Sequence, residues 1–194
     1  MPAIQRESLM TLEAYAKARK EYRTRIIGHK KARTVHLGDH ITLMFEDEFT
    51  MRYQIQEMLL SEKAFEEEAI LDELAVYNPL VPDGSNWKAT MMIEYPDPDE
   101  RTIALAKLRG IEERVWVQVA DQAKVFAIAD EDMERENAEK TSAVHFLRFE
   151  LDATSIAAAK AGSPIRMGID LAAYPAASMT LADNARAALV VDLA

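Results

Sequence analysis

The chain has 194 residues, a net charge of −10 at pH 7 and no cysteine. The missing cysteine excludes disulfides, thiolate-held zinc, a cysteine nucleophile and any iron–sulfur cluster bound through Cys. The acidic balance argues against general nucleic-acid binding, which needs a basic footprint. No run approaches the roughly 18 apolar residues of a membrane helix.

With 49% hydrophobic and 29% charged residues, the composition suits one domain over 1–194 with its own core. A helical front over 1–80 packed on a sheet-rich 81–194 is the alternative. No apolar segment follows a basic start, so the expected compartment is the cytoplasm, with no membrane partner.

The first long helix is predicted over Leu12–Lys31, capped by Thr11, with Glu13 in its first turn. Leu12, Tyr15, Tyr22 and Ile26 form its apolar stripe, and Glu13–Lys17 and Glu21–Arg25 have the favoured i,i+4 order. Thr34–Leu37 and Ile41–Phe45 read as a hairpin around a Gly38-Asp39 turn. A second helix over Glu48–Ser61 carries Met51, Ile55, Met58 and Leu59 on one face. A third covers Phe65–Tyr77, and Asn78-Pro79 ends it.

Trp87–Tyr95 alternates as a half-buried strand. Asp97, Pro98 and Glu100 open a helix that Gly110 is expected to end. Glu113–Ala120 and Lys124–Ala129 form a predicted hairpin, and Asp130–Lys140 reads as a charged, mobile loop. Ser142–Leu151 is a strand, Asp152 caps an Ala-rich helix, and Ile165–Leu171 alternates as the last long strand. Thr180 is expected to open a C-terminal helix. The pattern is α+β, with a mostly antiparallel sheet and helices packed on one face or end.

Charge is unevenly distributed. Residues 1–40 carry nine Lys/Arg and four Asp/Glu, whereas residues 46–85 carry two and eleven. Such neighbours attract each other within the fold or between subunits of a homo-oligomer, or meet a partner of opposite charge.

No glycine-rich phosphate loop, HExxH or GxSxG motif is present. His29 continues the apolar stripe of the first helix. His36 and His40 flank the hairpin turn, where two imidazoles close together suit a divalent metal. Tyr53, Gln54 and Glu57 lie on adjacent turns beside the stripe of the second helix. His29 with Glu57 is the candidate pair for metal binding or proton transfer, with Glu46 near it and Arg25 or Arg52 for an anionic group. His145 shares a strand face with Leu147 and Phe149 and is expected to pack into the sheet.

The blocks YRTRIIGHKKARTVHLG, ITLMFEDEFTMRYQIQEMLLSE, ELAVYNPLVP, ATMMIEYPDPDER, ERVWVQV and SAVHFLRFEL occur in this order. Together they resemble a bacterial family of uncharacterised proteins, a domain of unknown function, from about Thr11 to about Ala188. Genes of that family often lie near those for rubrerythrin-like and iron–sulfur oxidoreductase proteins. The resemblance therefore implies an accessory or binding role beside a redox or iron protein. The basic helix Lys17–Arg33 or the acidic helices Glu57–Glu73 would be the docking surface. The alternative is a small-molecule or His/Glu metal-dependent enzyme. The resemblance carries over no catalytic residues.

Overall fold

The computed structural model describes residues 3–129 and 140–194. The expected charged loop, apart from Lys140, lies outside these residues.

The first helix forms where its cap predicts. The Thr11 side chain accepts from the Ala14 amide, and α1 runs Leu12–Ala32. A hairpin follows, β1 (Thr34–Leu37) with β2 (Ile41–Glu46). Leu37 faces Ile41 in the register, so the turn holds three residues and His40 belongs to it. Gly38 takes φ +72, and a Cβ there would sit 2.7 Å from the Tyr174 hydroxyl. Glycine is thus required both by conformation and by space.

Asp47 starts α2 (Glu48–Glu62) with a reciprocal capping box shared with Thr50. Lys63 ends it in the left-handed conformation, and α3 (Glu67–Tyr77) follows. A short 3-10 turn at Asn78–Leu80 leads to β3 (Asn86–Ile93). Asp97 caps α4 (Pro98–Lys107), which stops before Gly110; that glycine instead takes φ +75 and leads into the 3-10 turn Ile111–Glu113. The remaining elements are β4 (Val115–Val119), β5 (Val125–Phe126), β6 (Ile128–Ala129), β7 (Val144–Glu150), α5 (Ala153–Lys160), β8 (Ile165–Ile169), β9 (Ala177–Thr180) and α6 (Asp183–Val190).

This is an α+β fold, and the described strands make two antiparallel sheets. One has the order β1-β2-β3-β7-β6 and the other β5-β4-β8-β9. The predicted second arm Lys124–Ala129 is divided between them. Val125 and Phe126 pair with β4, Ala127 turns into the core, and Ile128 and Ala129 pair with β7. A chain that changes sheets at a corner must give up one ladder to join the other. Thr180 is not a helix cap. It ends β9 and pairs with Arg166, and α6 begins three residues later without a side-chain cap.

The main core gathers the inner faces of both sheets with Leu105 and Leu108 near α4, Ala159 of α5, and Leu189 and Leu193 near the C-terminus. Trp87 is fully buried there, and its indole donates to the Leu189 carbonyl at 2.9 Å. Gly168 in β8 makes room for the Trp116 ring, which an added Cβ would approach to 2.4 Å. A second, smaller cluster unites Ile4, Leu9, Met51, Ile55, Leu59, Ile70, Leu74 and Val81. It lies among the N-terminal segment, α2 and α3, and α2 packs against both α1 and α3. No helix of the described residues is long and apolar enough to cross a membrane.

Candidate functional site

The seam between α1 and α2 holds four of the predicted site residues, His29, Arg25, Tyr53 and Glu57, but it distributes them between two places. Near the start of α1, the Tyr15 hydroxyl donates to Glu57 Oε1 at 2.6 Å. Arg19 grips both carboxylate oxygens, at 2.8 and 2.7 Å. The Arg19 guanidinium holds the Glu57 carboxyl below its ordinary pKa, against the opposing effect of burial. Burial, reinforced by Glu57, pushes the Tyr15 phenol up. Tyr53 is also pushed up, first by burial and then by Glu57.

Near the end of α1, His29 Nε2 donates to Asp47 Oδ2 at 2.5 Å, and its ring meets Phe49 edge-on. His29 and Glu57 therefore do not form a pair. Their contacts lie ten or more residues apart along α1, on the order of 15 Å at 1.5 Å per residue.

The other polar candidates are also occupied. Arg25 lies 5.4 Å from the centroids of both Tyr22 and Phe49 instead of pairing with Glu21. Arg52 pairs with Glu48 one turn back and donates to the Ser8 carbonyl at 3.3 Å. Gln54 on α2 acts on Tyr77, whose phenol burial pushes up and Gln54 pulls down. Glu46, 5% exposed, accepts from the Thr90 hydroxyl at 2.6 Å through Oε1, while its buried Oε2 meets no donor among the described residues.

His36 and His40 line a cleft of about 360 Å³ together with Asp39, Tyr174 and Ser178. The two imidazoles are held separately. His36 Nδ1 bonds the Thr42 hydroxyl, which in turn donates to Glu94. His40 Nδ1 donates to the Glu94 carbonyl at 3.0 Å, and its ring stacks on Tyr95 at 3.8 Å. Among the described residues, no group of three or more His, Cys, Asp or Glu could hold a metal ion. His145 is buried in the sheet as expected, with Thr141 at 2.9 Å and the Ser142 carbonyl at 3.0 Å.

Sequence reasoning missed a deeply buried charge. Arg33, read there as one end of a basic docking surface, is 2% exposed. Its guanidinium donates to the carbonyls of Phe45 (2.9 Å), Ala188 (2.7 Å) and Glu46 (3.1 Å), pairs with Asp192 and reaches Asp47 at 3.4 Å. It thus ties the end of α1 to the β2–α2 junction and to the C-terminal tail. Burial pushes Asp192 up to about 6, outweighing the opposite pull of Arg33. A signal was present in the sequence: Arg33 continues the spacing Tyr22, Ile26, His29, and Asp47 stands three residues before Thr50 as a cap.

The outer face of α1 is arranged differently. Lys17, Lys20, Thr24, Ile27 and Lys31 recur at intervals of three and four residues, and all are exposed. None of these lysines makes an ion pair among the described residues.

The family model described as protein of unknown function (DUF3501) matches residues 3–193. A crystal structure of a novel protein of unknown function from Burkholderia pseudomallei K96243 is 54% identical. The match covers 100% of both chains with a TM-score of 0.94. No curated protein matches the chain.

Proposed function

The chain belongs to the DUF3501 family of proteins of unknown function, and we propose that it is a non-catalytic binding protein that docks an acidic protein partner on the outer face of α1. The unpaired lysine stripe Lys17, Lys20 and Lys31 carries this reading. The helix has seven Lys/Arg against two Asp/Glu, yet Arg19 is spent on Glu57 and Arg25 on aromatic rings. What remains is a basic face whose lysines can steer a negatively charged surface and release it at high salt.

The resemblance to a family encoded beside rubrerythrin-like and iron–sulfur oxidoreductase proteins supports an iron or redox protein as that partner, and the cytoplasm as the place of encounter. Against the rival enzyme reading through His29 and Glu57, each of the two is bound to a different group.

The test is affinity capture from native cells at low salt, with wild-type protein and a Lys17→Glu/Lys20→Glu/Lys31→Glu variant. An iron or redox protein recovered by the wild type and lost by the variant supports the reading. Equal recovery by both, or recovery of no such protein, overturns it.

A further inference from the structure

The helical front has a second surface that does not look finished. Phe65 is 70% exposed, Leu71 50% and Val76 62%. These apolar groups sit on or beside α3 among Glu66, Glu68 and Asp72, all exposed. Beside Phe65 opens a cleft of about 240 Å³, whose apolar lining includes Leu9, Leu12, Leu59, Phe65 and Ile70 and which also takes in Glu13 and Arg6, the latter paired with Glu67. Exposed apolar groups beside an apolar cleft mark an interaction site. The carboxylates around them specify a basic amphipathic helix as the occupant.

The same chain displays such a helix. In the exposed stripe of α1, Ile27 is 52% exposed, with Lys20 seven residues before it and Lys31 four after. The basic α1 and the acidic α3 both pack on α2. They cannot satisfy each other within one molecule without displacing α2. From this complementarity we infer that the acidic, apolar surface of α3 receives the outer face of α1 from a second copy of the chain.

Ile27 is the apolar anchor at the cleft beside Phe65, and Lys20 and Lys31 meet Glu66, Glu68 and Asp72. The two surfaces differ, so the contact is heterologous and leaves one free surface of each kind on the pair. A single helix in a groove belongs to the small class of interfaces, below about 1,200 Å². Association is therefore weak, concentration-dependent and sensitive to salt. The inference rests on the docking role proposed for α1, and it makes the second copy a competitor of the acidic partner.

Sedimentation equilibrium of the purified full chain tests it, from about 10 to 500 µM, a range that brackets weak association. At low salt the average mass should rise with concentration and return to that of the monomer at high salt. An Ile27→Asp variant and a Glu66→Lys/Glu68→Lys variant should each be monomeric. All three positions are exposed; Glu66 and Glu68 lie at the N-terminal end of α3, so the double variant should melt slightly below the wild type, and circular dichroism at the temperature of sedimentation checks that each variant is folded. Mixed in equal amounts, the two variants should form a pair that grows no further, since each retains the surface the other lacks. Wild type that stays monomeric, or a mixture that stays monomeric, overturns the inference. Because only purified protein is used, that failure leaves the cell-capture result for α1 untouched. The converse, self-association without capture of a redox protein, removes the docking reading alone.

Discussion

Replacing Arg33 by Met tests whether the buried guanidinium holds the end of α1 to the C-terminal tail. The side chain is 2% exposed, and Asp192 opposite it is equally buried. Methionine fills much of the volume but leaves three backbone carbonyls and the Asp192 carboxylate without their donor. Breaking one partner of a buried ion pair costs about 3–5 kcal/mol. For a domain of this size each kcal/mol lowers Tm by about 2–4 °C, so the midpoint should fall by about 6–20 °C.

Chemical denaturation at pH 7.5 measures the loss directly. The loss should shrink at pH 5, where a protonated Asp192 no longer needs a counter-charge. An Arg33→Met/Asp192→Asn double variant should lose less than the sum of the two single changes, because each removes the other's stranded charge. A loss below about 1 kcal/mol for Arg33→Met, or strict additivity, would refute the reasoning.

Asp192 also sets a pH dependence. Its folded pKa of about 6 lies above the ordinary 3.8, so its contribution is fully present below pH 3.8 and is lost as pH rises through 6. Relative to Asp192→Asn, the wild type should lose about 3 kcal/mol over that window, and parallel stability profiles would contradict this. Glu57 has the opposite sign, because Arg19 depresses its pKa. Its contribution is present above the ordinary carboxylate pKa and lost as pH falls through the lowered value, which a Glu57→Gln comparison at acid pH would read. Tyr15→Phe removes one hydrogen bond to that carboxylate and should cost about 1.5–3 kcal/mol in a denaturant titration. Gly38→Ala places a Cβ against the Tyr174 hydroxyl at positive φ. It should cost more than the roughly 1 kcal/mol of an ordinary glycine change, with unchanged stability the contrary result.

The helix starts were readable because caps are local. Thr11, Asp97 and Asp152 each accept from backbone amides two or three residues ahead, as their positions predict. Thr180 carries the same signature and is strand instead, because pairing with Arg166 of β8 takes precedence over an isolated cap. The charge asymmetry was also visible, as it is arithmetic on the chain. The roles of individual charges were not. Arg19 and Lys20 are neighbours in the sequence, but one binds Glu57, 38 residues away, and the other remains exposed on the outer face.

Sequence alone therefore determined the α+β class, most element boundaries, the absence of cysteine chemistry and the basic character of α1. Only the tertiary structure decided that the strands divide into two sheets, that His29 turns to Asp47 rather than Glu57, and that Arg33 is buried at the C-terminus. Helix capping and periodicity act within a few residues, whereas sheet partners and buried charge pairs are selected by groups that folding brings together from as far apart as residues 33 and 192.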